Sequence, residues 1–173
     1  MTISESFKLS IIVPAYNEGK TILTVLKKLN DLKKFYQNTQ IIVINDGSKD
    51  NSLEILESNK SLFDILINNP TNRGKGNAVK KGLEAADGDY ITFQDADLEY
   101  DPEEFTNILK IYNKFDADIV YGSRINYKNY SRSHNFLNLL ANKSLTLYFN
   151  VLFNCTFTDI YSCYLSFRKD LIN

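Results

Sequence analysis

Gln40-Ile41-Ile42-Val43-Ile44-Asn45-Asp46-Gly47-Ser48 decides how this chain folds. Ile41 to Ile44 is apolar without interruption. A strand that alternates apolar and polar residues has one wet face; an unbroken run asks for burial on both, as inside a parallel sheet. Asn45-Asp46-Gly47-Ser48 then ends the run with turn chemistry. The same design recurs along the chain. Lys8–Ala15 carries Leu9, Ile11, Ile12 and Val13 and is stopped by Pro14, with Tyr16-Asn17-Glu18 following. Phe63–Asn68 reads as a third strand, Tyr90–Phe93 as a fourth running into Gln94-Asp95-Ala96-Asp97, and Ile119–Tyr121 as a fifth running into Gly122-Ser123-Arg124.

Helical patterns fill the intervals. Ile22, Val25, Leu26 and Leu29 share a face within Gly19–Leu32, and a short helix is expected around Ser52–Ser58. Ala78, Val79, Leu83 and Ala86 do the same within Gly74–Ala86. Pro102 suits the first turn of a helix reaching Phe115. Alternating strands and helices predict an α/β fold, a Rossmann-like and mostly parallel sheet with helices on both faces. Ligands on such sheets bind beyond the carboxyl ends of the strands. The polar clusters at 14–18, 45–48, 94–97 and 122–124 all follow strand ends, so they are expected on one rim. Tyr164–Phe167 reads as a last strand and Asn126–Ser133 as a polar loop.

The chain has 173 residues and a formal net charge of -1, with 43% hydrophobic and 24% charged residues. That is one globular domain's worth of chain. Its balance excludes a strongly basic nucleic-acid binder, so no nucleic-acid partner is expected. Cys155, Cys163 and a single His134 do not suit a structural zinc site. The start lacks the apolar core of a signal peptide, and no apolar run is long enough to span a bilayer, so a cytoplasmic location is expected.

Two aspartates flanking one residue after a buried strand, Asp95 and Asp97, present hard oxygen ligands suited to Mg²⁺ or Mn²⁺ beside phosphate. The plainer alternative is a solvated turn. Asp46 can accept from a nucleobase N–H, or can serve only as a turn residue. Asn72-Arg73-Gly74-Lys75-Gly76-Asn77-Ala78 is a basic, glycine-containing helix entry that can face phosphate or simply start a helix. It is neither a P-loop nor a dinucleotide fingerprint, because Val79 stands at the third glycine. Arg124, and Arg132 beyond it, offer planar permanent charge for a phosphate; ordinary surface charge is the alternative.

Together these residues resemble glycosyltransferase family 2, the inverting enzymes of GT-A fold, and among them the dolichol-phosphate mannosyltransferase-like or polyprenyl-phosphate glycosyltransferases. The matching stretches are 11–18 (IIVPAYNE), 43–48 (VINDGS), 72–78 (NRGKGNA), 94–99 (QDADLE) and 120–124 (VYGSR), with Thr158-Asp159 and Ser162-Cys163-Tyr164 later. The resemblance implies that Pro14, Ala15, Tyr16 and Glu18 surround nucleotide base and ribose, with Asp46 on the base. It places Gly74, Lys75, Asp95 and Ala96 beside the donor, and the metal, Mg²⁺ or Mn²⁺, on Asp95 and Asp97. Asp97, Arg124 and Asp159 become the catalytic candidates; Arg124 and Arg132 meet an acceptor phosphate.

The implied reaction moves a sugar from a nucleotide-sugar donor (GDP-mannose or UDP-glucose type) to a polyprenyl or dolichyl phosphate at a membrane surface. Alternatives are a soluble glycan acceptor, or a nucleotide-sugar-binding domain without turnover. Two departures stand out. Asn45 occupies a position where the family often has a second aspartate. Relatives usually continue past the segment matching 163–170, so residues 1–173 are expected to be a single catalytic domain lacking the acceptor-side part. Asn135–Asn154, apolar around its circumference, is read either as a helix in the cytoplasmic membrane interface, making the protein peripheral there, or as a core helix against the sheet, or as one covered by the missing C-terminal part.

Overall fold

The computed structural model describes residues 7–123, 136–160, 162 and 164–172. Arg124, Arg132, His134 and Cys163, and the loop expected at 126–133, lie outside the described residues. The chain divides into two compact units, Met1–Val120 with Ser166–Asn173, and Tyr121–Leu165.

The first unit is built on the unbroken apolar runs that end in polar turns. β1 (Leu9–Ala15), β2 (Thr39–Asn45), β3 (Ile65–Asn68) and β4 (Tyr90–Phe93) are mutually parallel, in the order β3-β2-β1-β4. Ile11, Ile12 and Val13 of β1 and Ile41 to Ile44 of β2 are fully buried, as their unbroken apolarity requires. α1 (Ile22–Phe35), α2 (Ser52–Ser58), α3 (Lys75–Ala85) and α4 (Phe105–Lys114) occupy the intervals between strands. α1 turns Ile22, Val25, Leu26, Leu29 and Leu32 inward. α3 packs on the sheet through Ala78 and Gly82, and a core of Ile12, Ile42, Ile44, Ala78, Ala86 and Ile91 results.

Register brings the strand ends level. Ala15 lies opposite Asn45, and Asn45 opposite Asn68. The ladder continues one step past each strand: Asp46 N–H donates to the Ala15 carbonyl at 2.9 Å, Asn69 N–H to Asn45 at 2.9 Å and Gln94 N–H to Ile12 at 3.0 Å. One sheet edge therefore presents residues 14–18, 45–48, 69–74 and 94–97.

The elements differ from expectation in detail. α1 begins at Ile22 because Glu18 and Thr21 close a turn first: Thr21 and Ile22 N–H both donate to the Glu18 carbonyl. Pro102–Glu104 forms a 3-10 turn, and α4 starts only at Phe105. β5 (Ile119–Tyr121) ends as expected, but β6 (Leu165–Arg168) inserts between β4 and β5 and runs antiparallel to β4.

The second unit is dominated by α5 (Phe136–Phe153). Asn142, Thr146 and Asn150 form a polar stripe, four residues apart. Asn142 donates to Asp159 (2.8 Å), Thr146 to the Asn142 side-chain oxygen (3.1 Å), and Asn150 exchanges two hydrogen bonds with Phe157 backbone (2.8 and 2.9 Å). Asn154, left-handed at φ 50°, ends the helix, and Cys155 N–H returns to the Asn150 carbonyl at 3.1 Å. Several large apolar side chains face outward instead, Val151 at 74% and Leu137 at 68% exposure. Within its own unit α5 turns this polar stripe toward the 157–160 segment.

Candidate active site

A cleft of about 290 Å³ opens at the carboxyl ends of the parallel strands. Pro14, Ala15, Tyr16 and Glu18 line it from the β1 loop, and Asp46 from the β2 end. Lys75 lines it from the start of α3, and Asp95, Ala96 and Asp97 from the β4 end. Gly74 borders it through its hydrogen bond to Asp46. Asn72 and Ala78 complete the lining.

The β1 loop is held by a clasp. Asn17, left-handed at φ 57°, donates its N–H to Ser48 Oγ (3.0 Å) and accepts Lys49 N–H on its side-chain oxygen (2.8 Å). Glu18 N–H donates to Ser52 Oγ at 2.9 Å and Gly19 N–H to Asp50 Oδ2 at 3.0 Å. Ser52 Oγ donates to Asp50 Oδ1 at 2.5 Å. That hydroxyl bond, with the Gly19 and Ser52 amides, outweighs burial and holds the Asp50 acid below the ordinary 3.8. Short polar side chains supply these bonds because they can satisfy loop amides that no strand reaches.

Asp46 is 3% exposed, and its two oxygens bind the 69–74 segment. Oδ1 accepts from Asn69 Nδ2 at 2.7 Å, Oδ2 accepts from Gly74 N–H at 2.8 Å, and Arg73 N–H lies 3.2 and 3.1 Å from the pair. Lys81 of α3 donates to Asn69 Oδ1 from behind. Gly74 adopts φ 86°, a conformation open to glycine at little cost, and a Cβ there would meet nothing, so the constraint is torsional rather than steric. The expectation that this helix entry aims its amides at phosphate is refined: the Arg73 and Gly74 amides are turned onto Asp46.

On the β4 side, Gln94 is fully buried, and its amide donates to the Asp95 (2.9 Å) and Tyr100 (3.0 Å) carbonyls, bracing the loop from below. Asp97 Oδ1 accepts Glu99 N–H at 2.9 Å around Leu98, whose φ of 64° is unfavourable for a side-chain-bearing residue. Lys75 Nζ stands 2.5 Å from Asp95 Oδ1. Asp95 therefore already attracts a cation, and two carboxylates with hard oxygens fit Mg²⁺ or Mn²⁺ provided phosphate and water complete the shell. Among the described residues no group of three or more His, Cys, Asp or Glu gathers as a metal cage. Asp159 belongs to the second unit, buried and bonded to Asn142. Asn69 carries no sequence signal for its place beside Asp46, and Asn72 has only its position at the head of the 72–78 motif.

Residues 10–173 match the profile of Glycosyl transferase family 2. The chain belongs to glycosyl transferase family 2. Its fold is the GT-A fold of solved glycosyltransferase structures. One is glucosyl-3-phosphoglycerate synthase from Mycobacterium tuberculosis in complex with Mn²⁺, uridine diphosphate and phosphoglyceric acid. It superposes at a TM-score of 0.74 with 19% identity, covering 96% of this chain and 57% of that one. Among curated relatives, dolichyl-phosphate beta-glucosyltransferase of Dictyostelium discoideum is 36% identical over 136 residues, 69% of this chain and 41% of the relative. Undecaprenyl-phosphate 4-deoxy-4-formamido-L-arabinose transferase of Proteus mirabilis is 32% identical over 114 residues, 62% and 34% respectively. The aligned family 2 segment spans half or less of such relatives, 50% in an uncharacterized Methanocaldococcus jannaschii protein.

Proposed function

We propose that this family 2 domain transfers a sugar, with inversion, from a nucleotide-sugar donor of GDP-mannose or UDP-glucose type to a polyprenyl or dolichyl phosphate. The observation that carries the reading is one cleft at the strand ends holding Asp46, Lys75, Asp95 and Asp97 together. Relatives named for lipid-phosphate acceptors support the choice of acceptor.

Asp46 accepts a base N–H while the clasped β1 loop flanks base and ribose. Asp95 and Asp97 would hold Mg²⁺ or Mn²⁺, which when bound neutralises charge on the departing diphosphate. Lys75, on the same rim, adds a positive charge that a diphosphate can share with Asp95. The acceptor phosphate is already anionic and needs placement more than deprotonation, a role we assign to Arg124 with Arg132. Its oxygen attacks the anomeric carbon in line as the bond to the nucleoside diphosphate breaks. Asp159 is the candidate orienting group on the acceptor side. We place the domain at the cytoplasmic membrane face, with exposed α5 in the interface.

The test is a panel of nucleotide sugars with Mn²⁺ or Mg²⁺, read first as binding and then as transfer to a short polyprenyl phosphate. Asp97→Asn is expected to lower transfer by about two orders of magnitude or more, the scale of lost preorganised charge stabilisation. Full activity in that variant removes Asp97 from the reaction. Transfer to a soluble glycan without lipid phosphate overturns the acceptor assignment.

A further inference from the structure

We infer that the donor nucleotide is a uridine rather than a guanosine diphosphate, a conclusion that rests on the donor-site reading above. Asp46 has a limited capacity to accept hydrogen bonds. An ionised carboxylate offers about four lone-pair positions. Asn69 Nδ2 takes one on Oδ1, and Gly74 N–H, which it shares with Asn72 Oδ1, takes one on Oδ2. Arg73 N–H, nearly equidistant at 3.2 and 3.1 Å, sits between the two oxygens and closes their fork. The equivalent of one position remains.

Guanine presents two adjacent N–H donors, N1 and the exocyclic amine, and grips a carboxylate through that fork. With the fork closed by Arg73, guanine must either displace a backbone donor of the 73–74 segment or bury an N–H without an acceptor. Loosening that segment also disturbs the start of α3, which carries Lys75. Uracil asks for less. Its N3–H is a single donor, made strong by the two flanking carbonyls, and matches one remaining acceptor on a charged group.

Asn72 supports the same edge. Its Oδ1 accepts Gly74 N–H at 2.9 Å, which leaves the amide nitrogen as the end that donates, suited to a carbonyl beside N3–H. Cytosine and adenine offer an amine beside a bare ring nitrogen, whose lone pair faces the carboxylate unfavourably.

Equilibrium binding of UDP, GDP and CDP to the 173-residue chain at fixed Mn²⁺ tests the inference. UDP is expected to bind about tenfold or more tightly than either, the scale of one unmade charge-assisted hydrogen bond. Equal or tighter binding of GDP or CDP overturns the uridine assignment and leaves the donor site standing. Failure of all three to bind overturns the donor site itself, and the inference with it. In Asp46→Asn the UDP-to-GDP ratio is expected to fall toward unity; an unchanged ratio in that folded variant shows that Asp46 does not read the base.

Discussion

Lys75 and Asp95 form an ion pair that the proposed donor and metal would have to reorganise. The ammonium lies 2.5 Å from Asp95 Oδ1, with the lysine side chain 58% exposed and the aspartate 16%. A half-exposed pair of this kind contributes up to about 1 kcal/mol. The ammonium competes with a divalent ion for the same oxygen while providing positive charge that a diphosphate can use. Lys75→Met is therefore expected to raise Mn²⁺ affinity roughly two- to fivefold without nucleotide, and to weaken UDP binding. Mn²⁺ titration followed by its paramagnetic resonance signal reads the first effect. An unchanged Mn²⁺ affinity would show that the pair does not guard the site. At this scale the carboxylates were legible, because each follows an apolar run that announces a strand end. Asn69 and Asn72 were not. Their roles depend on which amide end meets Asp46 or Gly74, and no pattern in a sequence fixes that.

Elements explain why the rim is stable enough to hold such a site. α3 meets the sheet at Gly82, where an added Cβ would stand 2.4 Å from Ile12 Cγ2 and 3.0 Å from Ile44 Cδ1. Alanine favours a helix over glycine by about 1 kcal/mol, but overpacking a filled core costs about 1–3 kcal/mol. Gly82→Ala is expected to destabilise, measured as a lower denaturant midpoint; a rise in the midpoint would mean that α3 lifts off the sheet freely. The loop clasp carries a pH signature. Asp50 is held below 3.8 chiefly by the Ser52 hydroxyl, so its folded acid is stronger than its unfolded one. Its contribution is present above 3.8 and is lost as pH falls through the lowered folded value. The stability gap between wild type and Asp50→Asn should therefore be full at neutral pH and close below 3.8 in acid unfolding curves; a gap that widens in acid contradicts the clasp. The parallel strands were readable because burial on both faces leaves an unbroken apolar run. β6 was readable as a strand but not as the antiparallel neighbour of β4, since a short, partly buried segment carries no register information.

At the scale of the whole molecule, the near-neutral charge and the apolarity of α5 bear on where the chemistry happens. A net charge of -1 gives no general attraction to an anionic surface, so the proposed adhesion to a bilayer would have to come from apolar area. In that proposal α5 supplies it. The helix carries Lys143 as its one charged residue, and its polar stripe is spent internally on Asp159, Ile160 and Phe157. Val151, Leu137 and Leu147 are left at 74%, 68% and 65% exposure. No helix among the described residues is long and apolar enough to cross a membrane. The sequence announced the apolarity of this helix but not its orientation, because a pattern apolar all round has no distinguished face. The hydrogen bonds of Asn142, Thr146 and Asn150 supply one. Burying a large apolar side chain is worth about 1.5–3 kcal/mol, so two partly inserted residues account for at least about tenfold in partitioning. Leu147→Glu combined with Val151→Glu is expected to reduce cosedimentation with phosphatidylcholine–phosphatidylglycerol vesicles by that factor. Because both side chains face outward, the same variant should unfold within about 0.5 kcal/mol of wild type. Unchanged vesicle binding would remove α5 from the interface, and a large loss of stability would show that the helix packs inside the folded protein after all.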